Sequence, residues 1–91
     1  METTREYDAR YNDLSPDQKR AESRRRNTVA TAQLRNSLKI GDRLRATKAV
    51  CGSREASFTF SHWEGGWIKS TGGADIAPGM VYSINGDVLR I

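Results

Sequence analysis

The chain contains one cysteine, Cys51, and one histidine, His62. A thiol becomes an efficient nucleophile when a base activates it, and that base must in turn be held in place by a third group. The sequence indicates no third group near this pair. Four carboxylates of the C-terminal half are scattered, without the spacing of an acid–base pair: Glu55, Glu64, Asp75 and Asp87. We therefore expect a binding protein that is not an enzyme.

The same residues argue against a metal or a cofactor. A structural zinc site needs about four ligands, and Cys51 and His62 are too few unless carboxylates or a second chain supply the rest. The glycine pairs Gly65-Gly66 and Gly72-Gly73 are predicted to form turns. Neither is a phosphate-binding loop, because such a loop ends in Gly-Lys-Ser/Thr and neither pair is directly followed by Lys. We expect no cofactor. A single cysteine permits no internal disulfide, which is consistent with a reducing compartment such as the cytoplasm.

Positive charge is concentrated in the middle of the chain. Residues 1–17 have a net charge of −3, residues 18–54 of +9 and residues 55–91 of −2, which together give +4. A block this dense favours a polyanion or an acidic protein surface as partner, although a solvated basic helix face would have the same composition. The basic residues of the block are Lys19, Arg20, Arg24, Arg25, Arg26, Arg35, Lys39, Arg43, Arg45, Lys48 and Arg54.

Two tryptophans flank a predicted turn and form the second candidate feature. If Glu64-Gly65-Gly66 is a three-residue loop, Trp63 and Trp67 face each other and project outward, where an indole can stack on a base or anchor an interface. A two-residue Gly65-Gly66 loop would change the register and bury Trp63 with Ile68. Both registers remain open from the sequence, and so does a core role for one or both indoles.

Two helices are predicted in residues 1–39. Thr3 and Glu6 form a capping-box pattern, and Tyr7, Tyr11 and Leu14 then share one face. Ser15, Pro16 and Gln18 start a second helix that we expect to reach Leu38. Its apolar stripe covers only the end of that helix: Ala30, Leu34 and Leu38. We expect the basic first turns to be frayed until a partner orders them.

Residues 40–91 are predicted to form short strands joined by turns. The predicted strands are 43–50, 57–63, 67–71, 80–84 and 87–91, with a loop at Cys51-Gly52-Ser53 and a helical turn near Pro78. Asn85-Gly86 is the strongest turn signal, because a type I′ turn needs positive φ at both central residues. The resulting register pairs Ile84 with Asp87, Tyr82 with Leu89 and Met80 with Ile91. It puts one set on the core face: Met80, Tyr82, Ile84, Leu89 and Ile91.

These elements predict an α+β protein, with one or two N-terminal helices followed by a small five-stranded antiparallel barrel. The sequence Ile40-Gly41-Asp42-Arg43-Leu44 and the turn near Pro78 resemble SH3-like domains of the KOW type, over roughly half the chain. The compact, basic chain is also similar to small phage-encoded proteins that attach to host machinery. Both are resemblances at the level of fold and general character.

Two functions follow as hypotheses. The first is binding of RNA or DNA through the basic helix, the strand with Arg43 and Arg45, and Trp63 or Trp67. The second is a protein-interaction module, an inhibitor or adaptor, that uses the helix or an exposed sheet edge. The acidic first segment mildly favours the second, because it would repel a polyanion but suits a basic protein face or the chain's own basic helix. No apolar run predicts a secretion signal or a membrane span.

Overall fold

The computed structural model describes residues 1–47 and 54–91. Helix α1 spans Thr4–Tyr11 and helix α2 spans Pro16–Leu34. Both predicted capping boxes are present: the Thr3 hydroxyl accepts from the Glu6 backbone, and the Ser15 hydroxyl accepts from the Gln18 backbone. Each box satisfies backbone N–H groups that the first turn of a helix leaves without partners.

Helix α2 ends four residues earlier than predicted, at Leu34. The chain then makes a tight turn, in which the backbone N–H groups of Ser37 and Leu38 both donate to the Leu34 carbonyl. The predicted apolar stripe is nevertheless buried, since Ala30, Leu34 and Leu38 are at most 9% exposed. Leu38 thus reaches the core from a turn rather than from a helix.

The described residues contain six strands in one antiparallel sheet, in the order β4-β3-β2-β1-β5-β6. The strands are β1 Arg43–Ala46, β2 Ala56–Glu64, β3 Trp67–Ser70, β4 Asp75–Ile76, β5 Val81–Ile84 and β6 Asp87–Val88. The α+β class is confirmed, but the closed five-stranded barrel is wrong, because β4 and β6 are edges of an open sheet. The additional strand β4 pairs back onto β3 through a tight turn where the sequence indicated only a connection.

The hairpin at Asn85-Gly86 is confirmed. Asn85 has φ 51° and Gly86 has φ 87°, as a type I′ turn requires. The Asn85 amide also joins the hairpin to the start of β1: its Oδ1 accepts from the Arg43 backbone at 2.9 Å, and its Nδ2 donates to Asp42 at 3.1 Å. Asn85 therefore stabilises both the turn of the hairpin and the position of β1 beside it.

The predicted pairing beyond the hairpin holds for only part of its length. Ile84 pairs with Asp87, and the Leu89 N–H donates to the Tyr82 carbonyl at 2.9 Å. Met80 does not pair with Ile91, because Met80 ends a short 3-10 helix, Pro78–Met80. Ile91 instead exchanges two backbone hydrogen bonds with Glu2, at 2.8 and 2.9 Å. The two ends of the chain thus meet beside the sheet.

A bulge decides which side chains of β5 enter the core. Ala46 pairs with Val81 and Arg45 with Ser83, so Tyr82 has no opposite partner on β1. The inserted residue breaks the alternation of faces. Val81, predicted to face away, is fully buried in the core cluster, while Tyr82 hydrogen-bonds Asp8 of α1. Both faces of β5 are therefore covered.

The main core lies between α2 and the sheet. It is formed by Leu34, Leu38, Leu44, Ala46, Phe60, Ile68, Ile76 and Val81. Of the hairpin residues predicted as core, Ile84 and Leu89 pack at its edge and Met80 is half-buried. The predicted end of the first strand at residues 48–50, the Cys51-Gly52-Ser53 loop and the pairing of Cys51 with His62 lie outside the described residues.

Helix α2 contacts the 3-10 turn at Gly79 so closely that a side chain would not fit. The Gly79 N–H donates to Asn27 Oδ1 at 2.8 Å. A Cβ on Gly79 would lie 2.8 Å from that oxygen and 3.0 Å from the Arg26 Cβ. These distances are shorter than van der Waals contact, so the helix or the turn would have to move.

We therefore expect Gly79→Ala to lower the free energy of unfolding by about 1–3 kcal/mol, the usual cost of overpacking a close contact. Thermal and urea unfolding followed by circular dichroism would measure it. Gly72→Ala is the matched control, because its Cβ would meet only Ser70 Oγ at 3.9 Å, with a backbone outside the left-handed region. Equal unfolding midpoints for the two variants would contradict this packing.

Candidate nucleic-acid interface

Arg26, predicted to be part of a frayed basic surface, is the largest fully buried side chain and is only 1% exposed. Its guanidinium donates to the Thr4 hydroxyl at 2.8 Å and to the Gly79 carbonyl at 3.3 Å, and lies 3.4 Å from the Glu2 carboxylate. It also stacks over the Tyr7 ring at 4.4 Å. Burial lowers the pKa of this guanidinium, while Glu2 and Tyr7 act in the opposite direction. Arg26 is therefore excluded as a ligand-binding residue.

A second group of charges joins α1 to α2 beside the buried arginine. Arg10 donates to Glu2 at 2.6 Å and to Glu22 at 2.7 Å, and Arg25 donates to Glu22 at 2.8 Å. Hydrogen bonds from Arg25 and Arg10 lower the pKa of the Glu22 carboxyl from 4.5 to about 2. The expected fraying of the first turns of α2 is wrong, because the acidic N-terminal segment packs on the chain's own basic helix.

Other predicted binding arginines also have acidic partners. Arg20 pairs with Asp17 within α2 at 2.7 Å, with both side chains mostly exposed. Arg45 pairs with Glu55 at 3.1 Å. Within the described ranges 1–47 and 54–91, the remaining basic residues of the block form no ion pair: Lys19, Arg24, Arg35, Lys39, Arg43 and Arg54. Lys48 lies outside the described residues. The accessible positive charge is thus smaller than the sequence implied.

The two tryptophans have different environments, and the register explains why. Trp63 pairs with Ile68 and Glu64 with Trp67, so the loop is the two-residue Gly65-Gly66 alternative. The outward pairing of Trp63 with Trp67 is therefore wrong. Trp63 packs against the core with its ring edge-on to Phe60, at 6.3 Å between centroids. Its buried Nε1 has no hydrogen-bond partner among the described residues.

Trp67 remains a candidate binding residue because 44% of it is exposed. It lines a groove of about 500 Å³ between the β2–β3 hairpin, α2 and the residues preceding β5. The α2 wall consists of Arg24, Asn27, Thr28 and Thr31, and Gly66, Ala77 and Pro78 complete the groove. The fold therefore brings a free guanidinium and an exposed indole, 43 residues apart in sequence, to one groove. We call it the α2–Trp67 groove.

Helical spacing extends this groove along α2. Arg20, Arg24, Thr28, Thr31 and the C-capping Arg35 follow one another at intervals of three or four residues, which puts them on one face. The Arg35 guanidinium lies over the Trp63 ring at 5.6 Å, so this side chain already makes a cation–π contact within the protein. Of the three arginines on this face, Arg24 lines the groove beside Trp67, and Arg20, which pairs with Asp17, and Arg35 lie further along the helix.

A second groove, of about 650 Å³, crosses the outer face of the sheet. Arg43 pairs with Thr59 and Arg45 pairs with both Ser57 and Ser83, so these side chains share the face opposite Leu44 and Ala46. We call it the sheet groove. Sequence reasoning selected its two arginines but missed its hydroxyl residues. The alternation of Ser57 and Thr59 with Phe58 and Phe60 could have shown that the two hydroxyl side chains share one face of the strand. Only the strand order shows that this face also carries Arg43 and Arg45.

The other predicted residues are peripheral to both grooves. Lys19 lies over the Tyr11 ring at 5.3 Å, on the α1 side of α2. The Lys39 backbone N–H donates to Asp42 Oδ2 at 2.9 Å in the turn before β1. Arg54 is exposed just before β2. These residues add positive potential without lining either groove.

A serine, a histidine and a glutamate lie together on β2. Ser61 Oγ is 3.0 Å from His62 Nδ1, and His62 Nε2 is 3.8 Å from Glu64 Oε2. The His62 and Glu64 side chains are 59% and 66% exposed, and neither groove includes them. These three side chains therefore lie on an exposed part of β2 and outside both grooves.

Two further features concern metal binding and membrane insertion. The described part of the chain has no group of three or more His, Cys, Asp or Glu side chains that could hold a metal ion. Of the helices in those same residues, none has the length and apolar character needed to cross a bilayer.

The neighbouring arginines of α2 provide a matched pair of variants. We expect Arg26→Ala to lower the free energy of unfolding by about 3–5 kcal/mol, because it leaves Glu2 and Thr4 without their buried partner. Arg25→Ala removes an exposed ion pair and should cost about 1 kcal/mol or less. Urea unfolding at neutral pH would measure both variants, and equal midpoints would contradict a structural role for Arg26.

The lowered pKa of Glu22 predicts acid sensitivity. A carboxylate with a folded pKa near 2 and an unfolded pKa near 4.5 stabilises the protein fully above pH 4.5 and loses that contribution as pH falls towards 2. Glu22→Gln should therefore lower stability at pH 7 by about 1 kcal/mol or less, since the pair is partly exposed. It should also flatten the fall in stability between those two pH values. An unchanged pH profile of the urea midpoint would contradict the prediction.

Comparison of the chain with protein-family models, with curated proteins and with solved structures found no match. The function must therefore be argued from side chains and their geometry, because a fold alone does not define an activity.

Proposed function

We propose that the protein is a non-enzymatic nucleic-acid-binding module that binds a single strand of RNA or DNA in the α2–Trp67 groove. The observation that carries this proposal is the shared groove of Arg24 and the exposed Trp67. Arginine forms strong, paired hydrogen bonds with phosphate oxygens, and indole faces stack on bases.

The chemistry of the groove favours unpaired bases. An indole can stack on a base only when that base is released from its duplex neighbours, as in a single strand or a loop. Thr31 offers a hydroxyl group to the sugar–phosphate backbone beside Trp67, whereas the Thr28 hydroxyl donates to the Arg24 carbonyl at 2.9 Å. Arg20 and Arg35 extend the positive face to either side of Arg24, so that a strand could follow the helix for several nucleotides.

The internal ion pairs limit the number of arginines that can contact a nucleic-acid strand, and so determine the expected affinity. With Arg10, Arg25 and Arg26 held by Glu2 and Glu22, the proposed contact uses about three arginines. Three phosphate contacts on a single strand give a logarithmic salt slope of about −2, so affinity should fall roughly 20-fold between about 50 and about 200 mM salt. The interaction is thus moderate in strength and steeply salt-dependent.

A protein partner is the second candidate, and the open sheet favours it. Val88 on the edge strand β6 is 52% exposed, and among the described strands only β5 pairs with β6. An extended segment of another protein can add to such an edge by main-chain hydrogen bonding. Two resemblances from the sequence, to KOW-type domains and to small phage-encoded proteins, stay predictions, and so does the cytoplasmic location. The choice of ligand does not depend on them.

The test is fluorescence anisotropy with labelled single-stranded and double-stranded oligonucleotides, across a range of salt. We expect Trp67→Ala and Arg24→Gln each to weaken binding of the single strand roughly tenfold, because stacking on one base contributes about 1–3 kcal/mol. Trp67→Phe, which retains an aromatic face, should lose less. Arg90→Gln is the charge-matched control, since Arg90 is exposed near the C-terminus and outside the groove.

Three results would overturn the proposal: no binding at low salt, binding that does not change with salt, or equal losses in Arg24→Gln and Arg90→Gln. A pull-down from nuclease-treated lysate would then test the protein alternative. In that experiment, a partner that is retained by wild-type protein and lost when Val88 is replaced by aspartate would favour the edge strand.

A further inference from the structure

The sheet groove has the composition of an anion site and plays no part in the α2–Trp67 groove. Its polar lining consists of two arginines and five hydroxyl residues around them: Arg43, Arg45, Ser57, Thr59, Ser70, Thr71 and Ser83. Among the described residues, no carboxylate lines it. Glu55 contacts Arg45 at 3.1 Å from outside the lining. The groove therefore presents hydrogen-bond donors and positive charge without an internal counter-ion.

The two arginines are placed by the backbone to act on one group. They are two residues apart on β1 and share a face, which puts their Cα atoms about 6.6 Å apart. Arg43 is held by pairing with Thr59 and by the bond from its N–H to Asn85 Oδ1 at 2.9 Å. Arg45 is oriented by the Ser57 hydroxyl at 3.1 Å. No carboxylate of the described residues pairs with the Arg43 guanidinium, which leaves it free for an anion.

The dimensions indicate a compact ligand. The lining crosses the sheet from Thr71, beside β2, to Ser83 on β5, a width of about 14 Å across three strand spacings. Leu44, Phe58 and the turn residues Gly72 and Gly86 complete the lining. A volume of about 650 Å³ is in the range of small-molecule sites. The phosphate oxygens of a phosphomonoester can accept hydrogen bonds from both guanidinium groups, of which Arg45 also keeps its pair with Glu55.

We propose that the sheet groove binds a small phosphomonoester, a sugar phosphate or nucleoside monophosphate. Arg43 and Arg45 bind the phosphate, and the hydroxyls of Ser57, Thr59, Thr71 and Ser83 bind the polar body of the ligand. This site is independent of the single-strand site on α2, so either can fail without the other.

The test is a titration of the full-length, ¹⁵N-labelled protein with ribose 5-phosphate, with inorganic phosphate and with ribose, followed by amide chemical shifts. We expect saturable shifts for both phosphates at the backbone amides of the groove residues, and none for ribose. Arg43→Gln should raise the dissociation constant of ribose 5-phosphate about tenfold or more. Arg20→Gln, which removes the same charge from α2, should change it less than about twofold.

Arg43 makes no ion pair in the described residues, so its variant should fold, which its amide spectrum would show directly. Thr59→Val, which removes one hydroxyl and retains the shape, gives a second measure of the site. Absence of saturable shifts up to about 10 mM, tenfold above a millimolar dissociation constant, would overturn the proposal. So would equal effects of Arg43→Gln and Arg20→Gln, or displacement of ribose 5-phosphate from these amides by a single-stranded oligonucleotide. Oligonucleotide binding that is lost in Trp67→Ala but retained in Arg43→Gln would support two separate sites.

Discussion

The buried guanidinium of Arg26 is the constraint on which the arrangement of the helices depends. A charge removed from water must be matched by acceptors and a counter-charge. Here these come from two distant parts of the chain: Glu2 with Thr4 and Tyr7 of α1, and Gly79 before β5. α1 is short and would be marginal on its own. Its position on α2 is stabilised by these contacts with Arg26, together with the ion pair between Arg10 and Glu22.

That constraint also determines which charges remain for a partner. Glu2 of the N-terminal segment pairs with Arg26, and Glu22 of α2 pairs with Arg25. The dense basic block is therefore divided into an inner, structural part and an outer part. The outer part lies on two different surfaces: one along α2 beside Trp67, and one across the outer face of the sheet at Arg43 and Arg45. A count of charges along the chain treats all of these arginines alike, whereas burial and pairing separate them.

Two irregularities in the sheet explain most of the failed register predictions. An additional residue at Tyr82 lets Val81 and Ile84 both approach the core, and a second register shift between Phe60 and His62 does the same for Phe60 and Trp63. Bulges break the two-residue period on which strand predictions rely. The choice between Trp63 and Trp67 as the exposed indole depended on this geometry and on the length of the Gly65-Gly66 loop, which the glycine pattern left open.

Helix caps, an apolar helix stripe and a hairpin turn could be predicted from the sequence because each involves neighbouring residues. The capping boxes at Thr3 and Ser15, the stripe of Ala30, Leu34 and Leu38 and the Asn85-Gly86 turn each depend on side chains a few positions apart, and all are present. The open six-stranded sheet, the burial of Arg26 and the grouping of Arg24 with Trp67 were decided by tertiary structure. Each brings together residues tens of positions apart, and which distant segment satisfies a buried charge or covers a sheet face is set by packing of the whole chain.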